Sequence, residues 1–147
     1  MPFQEDAEKI EWRIHLKSPP REVYRMLATD EGRARFWAES ANEREGTIHF
    51  EFPDGMIWQG RVLEAKPPHR FSVDYFGHST VIFDVREDGE GGTDLFLTAR
   101  SPVPEDREEE IPGWISVLMA LKAAVDFGVD LRNHDPTRTW DQGYADN

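Results

Sequence analysis

Large aromatic side chains are the residues of this sequence whose type and spacing point most directly to chemistry. Five Trp, nine Phe and three Tyr make up 12% of the 147 residues. Many recur at every second position, which places them on one face of a β-sheet. Such a face either fills a solid core or lines a cavity, and the sequence leaves both interpretations open. The cavity interpretation predicts ten ligand-binding residues: Trp37, Phe50, Phe52, Trp58, Phe71, Tyr75, Phe83, Trp114, Leu118 and Leu121.

Ionisable residues are rare on the same face, so acid–base catalysis has few candidates. Only Glu64, at the end of a predicted strand, shares the apolar positions, and a catalytic role requires it to be buried with a raised pKa. Lys122 and Asp126 are spaced i, i+4 on a predicted helix, as in a surface ion pair. Five further residues fall at the alternate strand positions and are predicted to face water: His15, His49, Asp74, Asp84 and Arg100.

Three short motifs resemble catalytic sites but lack a required part. His49-Phe50-Glu51 matches the H-x-E of zinc deaminases, but there is no Cys to complete the zinc site. Gly89-Glu90-Gly91-Gly92 resembles a phosphate loop, yet it leads into a strand instead of a helix. His78-Ser79 near Asp74 resembles part of a catalytic triad, although neighbours in a turn rarely face one another. No two His share an i, i+4 helical spacing, so no metal site is predicted. Because ionisable residues are also rare on the apolar face, no catalytic residue is predicted, and no cofactor is expected.

Composition predicts one acidic domain over residues 1–147, with a core at about 9–131 and a polar tail at 132–147. The formal net charge of −12 repels phosphate groups, which argues against nucleic acid and anionic membranes as partners. The longest apolar run, residues 114–121, is far shorter than the ~20 residues of a membrane span, so no membrane insertion is predicted. Residues 1–6 lack the features of a secretion signal, and the absence of Cys fits a reducing compartment. Both observations predict a cytoplasmic location.

Alternation of apolar and polar residues predicts six β-strands. The first covers residues 9–17, and five more lie between residues 46 and 101, joined by short turns. Such a meander forms an antiparallel sheet with one apolar face. Between the first two strands, Ser18 followed by prolines predicts the N-cap of a short helix. Thr29 predicts the cap of a second one, which ends at Phe36-Trp37.

A long amphipathic helix is predicted over residues 112–130, and it is the only element long enough to cover the sheet. Residues 101–111, which contain Glu108-Glu109-Glu110, are predicted to be an acidic connector whose carboxylates complement the helix N-terminus. Trp140 and Tyr144 predict that the tail docks on this domain or on a second subunit. Six apolar residues form the stripe of the helix: Trp114, Val117, Leu118, Leu121, Val125 and Leu131.

Four short stretches carry a resemblance to a known family: Ser18-Pro19-Pro20-Arg21-Glu22-Val23, Phe36-Trp37, residues 60–71, and Gly113-Trp114 with Leu118, Leu121 and Lys122. On these stretches the sequence resembles the START-like (SRPBCC) superfamily, in the branch of the activator of heat-shock-protein ATPase homologue. The resemblance covers about residues 9–131. It implies an α+β helix-grip fold, in which a curved six-stranded antiparallel sheet wraps around a long C-terminal helix and two short helices lie between strands 1 and 2.

Members of that superfamily include lipid carriers, polyketide cyclases, hormone and flavonoid binders and a chaperone activator, so the fold does not choose the function. The leading hypothesis is non-catalytic binding of a small hydrophobic, aromatic or lipid-like ligand between the sheet and the C-terminal helix. The Tyr75 hydroxyl or a Trp ring N–H would orient its polar end. The alternative is a chaperone-associated interaction domain of the stress response, and a cyclase- or hydrolase-type enzyme comes third. Both a monomer and a homodimer are compatible with the sequence.

Overall fold

An antiparallel sheet of seven strands, curved around one long helix, forms the frame of the computed structural model, which describes residues 4–100 and 103–147. Residues 1–3 and residues 101–102, where the predicted connector begins, lie outside the described residues. The strands are β1 Lys9–Leu16, β2 Ser40–Arg44, β3 Thr47–Glu51, β4 Ile57–Lys66, β5 Arg70–Tyr75, β6 Ser79–Glu87 and β7 Thr93–Arg100. The helices are α1 Pro20–Ala28, α2 Asp30–Ala34 and α3 Arg107–Phe127. The predicted helix-grip fold is confirmed.

The strand order is β1-β7-β6-β5-β4-β3-β2, which is one strand more than the sequence pattern predicts. The additional strand, β2, pairs with β3 through a tight turn in which Glu45 and Gly46 have positive φ angles of 52° and 81°. Such angles match the twist of a two-residue hairpin. Within β2 only Ala41 is buried. An exposed edge strand needs no apolar alternation, so the apolar–polar pattern did not predict β2.

The core lies between the concave face of the sheet and α3. Phe71 of β5 is paired with Phe83 of β6, and Phe83 is paired with Leu97 of β7, so their side chains form one continuous layer. Leu118 and Leu121 of α3 are buried with this layer in the same cluster. The terminal helix therefore covers the sheet, as predicted. No helix within the described ranges is long and apolar enough to cross a membrane.

Helix α3 begins and ends earlier than predicted. It starts at Arg107, so residues 107–111 of the predicted acidic connector belong to the helix, and Pro112 lies inside it. The three glutamates 108–110 suit this position because carboxylates stabilise a helix N-terminus. Gly128, with φ of 66°, ends the helix in the left-handed conformation that favours glycine. Leu131 therefore lies beyond the helix, and it is exposed instead of part of the predicted stripe.

The C-terminal end of α3 is tied to the junction between β1 and α1. The Asp126 side chain has no exposed area, and it accepts the backbone N–H groups of Lys17 and Ser18 at 2.9 and 3.0 Å. It also accepts the Ser18 hydroxyl at 2.8 Å and lies 3.4 Å from the Lys122 ammonium. The prediction of a plain surface pair between Lys122 and Asp126 is therefore wrong. The prediction that Ser18 caps α1 is also wrong, because Pro19 occupies the cap position.

Helix α2 begins as predicted. The Thr29 side chain accepts the Gly32 N–H at 3.0 Å, so the predicted cap is confirmed. The helix ends at Ala34, and Phe36 and Trp37 follow it in a turn instead of closing its last turn. Both aromatic side chains are nearly completely buried. This turn directs Trp37 into the space between the sheet and α3.

Candidate ligand cavity

A cavity of about 460 Å³ lies between the first half of α3, the ends of β3 and β5 and the C-terminal tail. Small-molecule sites commonly have volumes of about 300–1,000 Å³. Four of its large apolar lining residues are exposed and mark the mouth: Met56, Ile115, Met119 and Leu131. Seven aromatic residues line it: Phe36, Trp37, Phe52, Tyr75, Phe76, Trp114 and Trp140.

Four of the ten predicted ligand-binding residues line this cavity: Trp37, Phe52, Tyr75 and Trp114. Three of them touch one another. The ring centroids of Trp37 and Tyr75 are 5.6 Å apart, those of Tyr75 and Trp114 are 5.4 Å apart, and those of Trp37 and Trp114 are 6.2 Å apart. This group, Trp37, Tyr75 and Trp114, is called the aromatic trio below. The structure brings these residues together, and their part in binding stays a prediction.

The other six predicted residues lie outside the cavity lining: Phe50, Trp58, Phe71, Phe83, Leu118 and Leu121. Phe71 is covered by Tyr24 of α1, with ring centroids 6.2 Å apart. Phe83 is fully buried behind Trp37 and Trp114. The Trp58 N–H donates to the Asp74 carbonyl oxygen at 3.0 Å. One end of the sheet–helix interface is therefore open, and the rest is packed.

Two polar groups in the cavity wall form a hydrogen bond with each other. The Trp37 ring N–H donates to the Tyr75 hydroxyl at 3.0 Å. Burial raises the pKa of Tyr75 well above its ordinary value, although the hydrogen bond from Trp37 opposes this. Tyr75 is therefore a neutral phenol, and no acceptor among the described residues takes its proton. Of the predicted orienting groups, the Tyr75 hydroxyl still has a hydrogen to donate, whereas the N–H of Trp37, one of the cavity's Trp residues, does not.

Glu110 is a cavity residue that the sequence analysis missed. It lies four residues before Trp114, on the same side of α3, and it is half-buried. Burial, followed by the nearby carboxylates of Asp106 and Glu109, raises the pKa of Glu110 to about 6. The i, i+4 spacing from Trp114 could have revealed Glu110 if the helix start had been placed at Arg107.

Glu64 does not occupy the face that the sequence predicted. The pairing of β4 with β5 shifts by one residue between Val62 and Glu64, and such a bulge turns the following side chains to the opposite face. The Glu64 carboxylate lies 3.0 Å from both Lys66 and Arg70, on the outer face. Hydrogen bonds from these two residues lower the pKa of Glu64. The prediction is wrong, and Glu64 is not the buried, protonated acid that the enzyme hypothesis required.

The residues of the triad-like motif are only partly brought together. His78 Nδ1 lies 3.2 Å from the Asp74 carboxylate. The Ser79 hydroxyl instead donates to the Phe76 carbonyl oxygen at 3.1 Å, and its side chain is buried. The three side chains therefore form no proton relay. Within the described residues there is also no group of three or more His, Cys, Asp or Glu arranged to hold a metal ion.

The C-terminal tail docks on its own domain and closes one side of the cavity. His134 lies 2.6 Å from Glu39 and 2.7 Å from Asp130. The Arg132 guanidinium donates to the carbonyl oxygens of residues 34 and 38. Trp140 packs beside α3, since a Cβ on Gly113 would meet its ring at 3.9 Å. The predicted docking is found in cis, but Tyr144 is 41% exposed and does not anchor the tail.

Sequence comparison agrees with this architecture. The family model described as activator of Hsp90 ATPase homolog 1-like protein matches residues 17–126. The chain belongs to this family. The match extends from the end of β1 to Asp126 and therefore includes both short helices and most of α3. No functionally curated protein matches the sequence.

Several solved structures share the fold of this family member. The solution structure of the Aha1 dimer from Colwellia psychrerythraea has a TM-score of 0.73 at 22% identity, covering 82% of this chain and 97% of that one. A crystal structure of a Staphylococcus saprophyticus protein has a TM-score of 0.73 at 21% identity, covering 84% and 96%. A Rhodobacter sphaeroides protein has a TM-score of 0.66 at 21% identity, covering 84% and 92%. At these identities the likeness shows the fold alone.

Proposed function

We propose that this family member binds a small apolar or aromatic ligand in the cavity between α3, the sheet and the tail, without catalysis. The observation that carries the proposal is a cavity of about 460 Å³ with seven aromatic residues in its wall. A solid core would leave no such space, because protein interiors are packed as densely as organic crystals. The family includes ligand-binding and Hsp90-associated domains, and the open space favours ligand binding.

The wall composition favours a planar or amphipathic ligand. Aromatic rings bury a large area and prefer offset or edge-to-face contacts with other rings. The aromatic trio offers such contacts at the deep end, and Phe52 and Phe76, with centroids 5.6 Å apart, extend them toward the β3–β4 turn. The Tyr75 hydroxyl can donate one hydrogen bond to a polar atom of the ligand.

The first test is native mass spectrometry of the freshly purified full chain, followed by solvent extraction. A co-purifying mass of a few hundred daltons is expected and would identify the ligand class. Because a weak ligand can be lost in purification, the second test titrates the protein with Nile red, a neutral apolar dye. Absence of both a co-purifying mass and Nile red binding would refute the proposal.

Gly113 allows the binding site to be located. It lines the cavity, and a Cβ there would meet only the Trp140 ring, at 3.9 Å. Gly113→Leu would extend a side chain into the cavity, whereas Gly113→Ala adds only a methyl group and serves as the matched control. Nile red affinity is expected to fall about tenfold or more in Gly113→Leu and to change little in Gly113→Ala. Equal binding by both variants would place the dye elsewhere.

Association with a chaperone is the second candidate, because the matching family is described by an activator of Hsp90 ATPase. Ile115 and Met119 present exposed apolar side chains one helical turn apart on α3. A pull-down with purified Hsp90 would retain the wild-type protein but not Ile115→Glu if this surface docks.

The Colwellia protein is a dimer, so light scattering should report whether this chain also dimerises. Fractionation of cells would test the expected cytoplasmic location.

A further inference from the structure

The charged groups around the cavity are almost all negative. Five carboxylates line it: Asp54, Glu109, Glu110, Asp141 and Asp146. The single guanidinium in the lining, Arg132, is only 6% exposed and pairs with Asp130 at 3.0 Å. Its remaining hydrogen bonds go to two backbone carbonyl oxygens at 2.8 and 2.7 Å. The positive charge is therefore already compensated, and the cavity presents a negative field to any ligand.

Glu110 lies deeper than the other carboxylates and has no cationic partner. It is half-buried, whereas Asp54, Glu109, Asp141 and Asp146 are exposed. No Lys, Arg or His of the described residues lies within ion-pair distance of its carboxylate. The ionisable groups near enough to influence its charge are Asp106, which precedes α3, Glu109 of α3 and the neutral Tyr75 hydroxyl of β5. A half-buried carboxylate beside two other acids would be stabilised by a cation, and no cationic side chain of the described residues supplies one.

The aromatic trio lies beside this carboxylate. Trp114 is one helical turn after Glu110, and Tyr75 is close enough for Glu110 to contribute to its raised pKa. Aromatic faces attract cations through the ring quadrupole, and Trp and Tyr are among the best rings for this purpose. A carboxylate next to such rings would hold an ammonium group by two additive attractions. An anionic ligand would instead be repelled by five carboxylates.

Resting on the proposed function, we propose that the ligand of this cavity is a cationic amphiphile: an apolar or aromatic body with an amine that binds between Glu110 and the aromatic trio. The body occupies the apolar part of the cavity, and the ammonium group donates a charge-assisted hydrogen bond to the Glu110 carboxylate. The remaining carboxylates at the mouth favour entry of a cation from solvent.

The test compares three probes with one apolar body: naphthylethylamine, ethylnaphthalene and naphthylpropionate, which are cationic, neutral and anionic. Calorimetric titration of the full chain at about pH 7.5 is expected to show naphthylethylamine binding about tenfold or more tightly than ethylnaphthalene. Naphthylpropionate is expected to bind most weakly. If the neutral or anionic probe binds as tightly as the amine, the cation inference is overturned while the ligand-binding function stands. If none of the three binds, the cation inference is overturned, and if a co-purifying mass and Nile red binding are absent too, the proposed function fails as well.

Two variants distinguish the effect of the Glu110 carboxylate from the effect of the overall negative charge on amine binding. Glu110→Gln removes the cavity carboxylate, and Glu108→Gln removes the same charge from an exposed neighbour that does not line the cavity. The preference for the amine over ethylnaphthalene is expected to fall to about threefold or less in Glu110→Gln and to remain in Glu108→Gln. Equal effects in both variants would assign the preference to net charge and overturn the role of Glu110. Binding of ethylnaphthalene, unchanged in both variants, confirms that the cavity is intact.

The preference for the amine should also depend on pH. The pKa of Glu110 is raised to about 6, so its carboxylate is ionised at about pH 7.5 and mostly protonated at about pH 5. An alkylammonium stays charged over this range. The preference in the wild-type protein is therefore expected to fall on acidification, and that in Glu110→Gln to change much less. A wild-type preference that does not change with pH would overturn the inference.

Discussion

Removal of the Asp126 carboxylate is expected to weaken the attachment of α3 to the β1–α1 junction and to lower the free energy of unfolding. This side chain has no exposed area and accepts three short hydrogen bonds, two from the backbone N–H groups of Lys17 and Ser18 and one from the Ser18 hydroxyl. It joins the last turn of α3 to the junction of β1 and α1, more than 100 residues away in sequence. Asp126→Ala leaves these donors without their acceptor.

The cost follows from the number and type of these bonds. Hydrogen bonds to a charged group contribute about 1.5–3 kcal/mol each, but the effects of three bonds to one group do not add in full. Lys17 is exposed, so water can replace part of its bond. We therefore expect Asp126→Ala to lower the free energy of unfolding by about 2–4 kcal/mol. Ser18→Ala, which removes only the hydroxyl, should cost about 1 kcal/mol.

The assay is urea unfolding followed by Trp fluorescence, performed at several pH values. Burial raises the pKa of Asp126, but hydrogen bonds from Lys17, Ser18 and Lys122 outweigh it and hold the pKa below its ordinary value. A carboxylate with a lowered folded-state pKa stabilises the protein above the unfolded-state pKa of about 4 and loses this effect as the pH falls through the folded-state value. The difference between wild type and Asp126→Ala should therefore be constant from about pH 7 to about pH 5 and shrink in stronger acid.

A cost below about 1 kcal/mol, or one equal to that of Ser18→Ala, would refute the reasoning. An unchanged slope of the free energy against urea is also required, because a changed slope would indicate an altered unfolded or native state.

Three further predictions concern substitutions of Gly, His and Arg residues. Gly113→Ala should stabilise α3 by about 0.5–1 kcal/mol, because a Cβ there has room. Gly60→Ala should instead cost more than about 2 kcal/mol, because its Cβ would lie 2.3 Å from the Asp74 carbonyl oxygen, and thermal unfolding distinguishes the two variants. Hydrogen bonds with Asp130 and then Glu39 raise the pKa of His134, so its stabilising effect is present below about pH 6.5 and lost as the pH rises through the folded-state pKa. The Tm difference between wild type and His134→Gln should accordingly be larger at about pH 5.5 than at about pH 9, and at most about 4 °C because the pair is partly exposed. Arg33 is fully buried and donates to the carbonyl oxygens of residues 27 and 41 and to Asp30, so Arg33→Leu should lower the free energy of unfolding by about 3–5 kcal/mol in a urea titration.

The alternation of residues along the strands was sufficient to predict most of the sheet. Phe71, Phe83 and Leu97 alternate with polar neighbours, and the structure places all three in one buried layer. A side-chain period of two fixes which face a residue occupies as long as the strand is regular. The same logic failed at Glu64, because the bulge after Val62 changes the face without any signal in the apolar pattern.

Helix ends were predicted less well than helix faces. The apolar stripe identified Trp114, Leu118 and Leu121 as the buried face of α3, which the structure confirms. The start at Arg107 was missed because Pro112 is also a good first residue of a helix, and local preferences cannot choose between two acceptable starts. That error assigned Glu110 to a connector and removed it from the candidate site.

By itself, the sequence determined six of the seven strands, the covering helix and the aromatic face, because each depends on a local period or a local cap. Only the tertiary structure decided where that face is packed and where it is open. The space between two layers depends on how far α1, α3 and the tail stand from the sheet, and that distance results from many contacts distant in sequence, such as those of Asp126 and Arg132. For this reason Phe71 lies under Tyr24 in the core, whereas Tyr75, four residues later in sequence, lines the cavity beside Glu110.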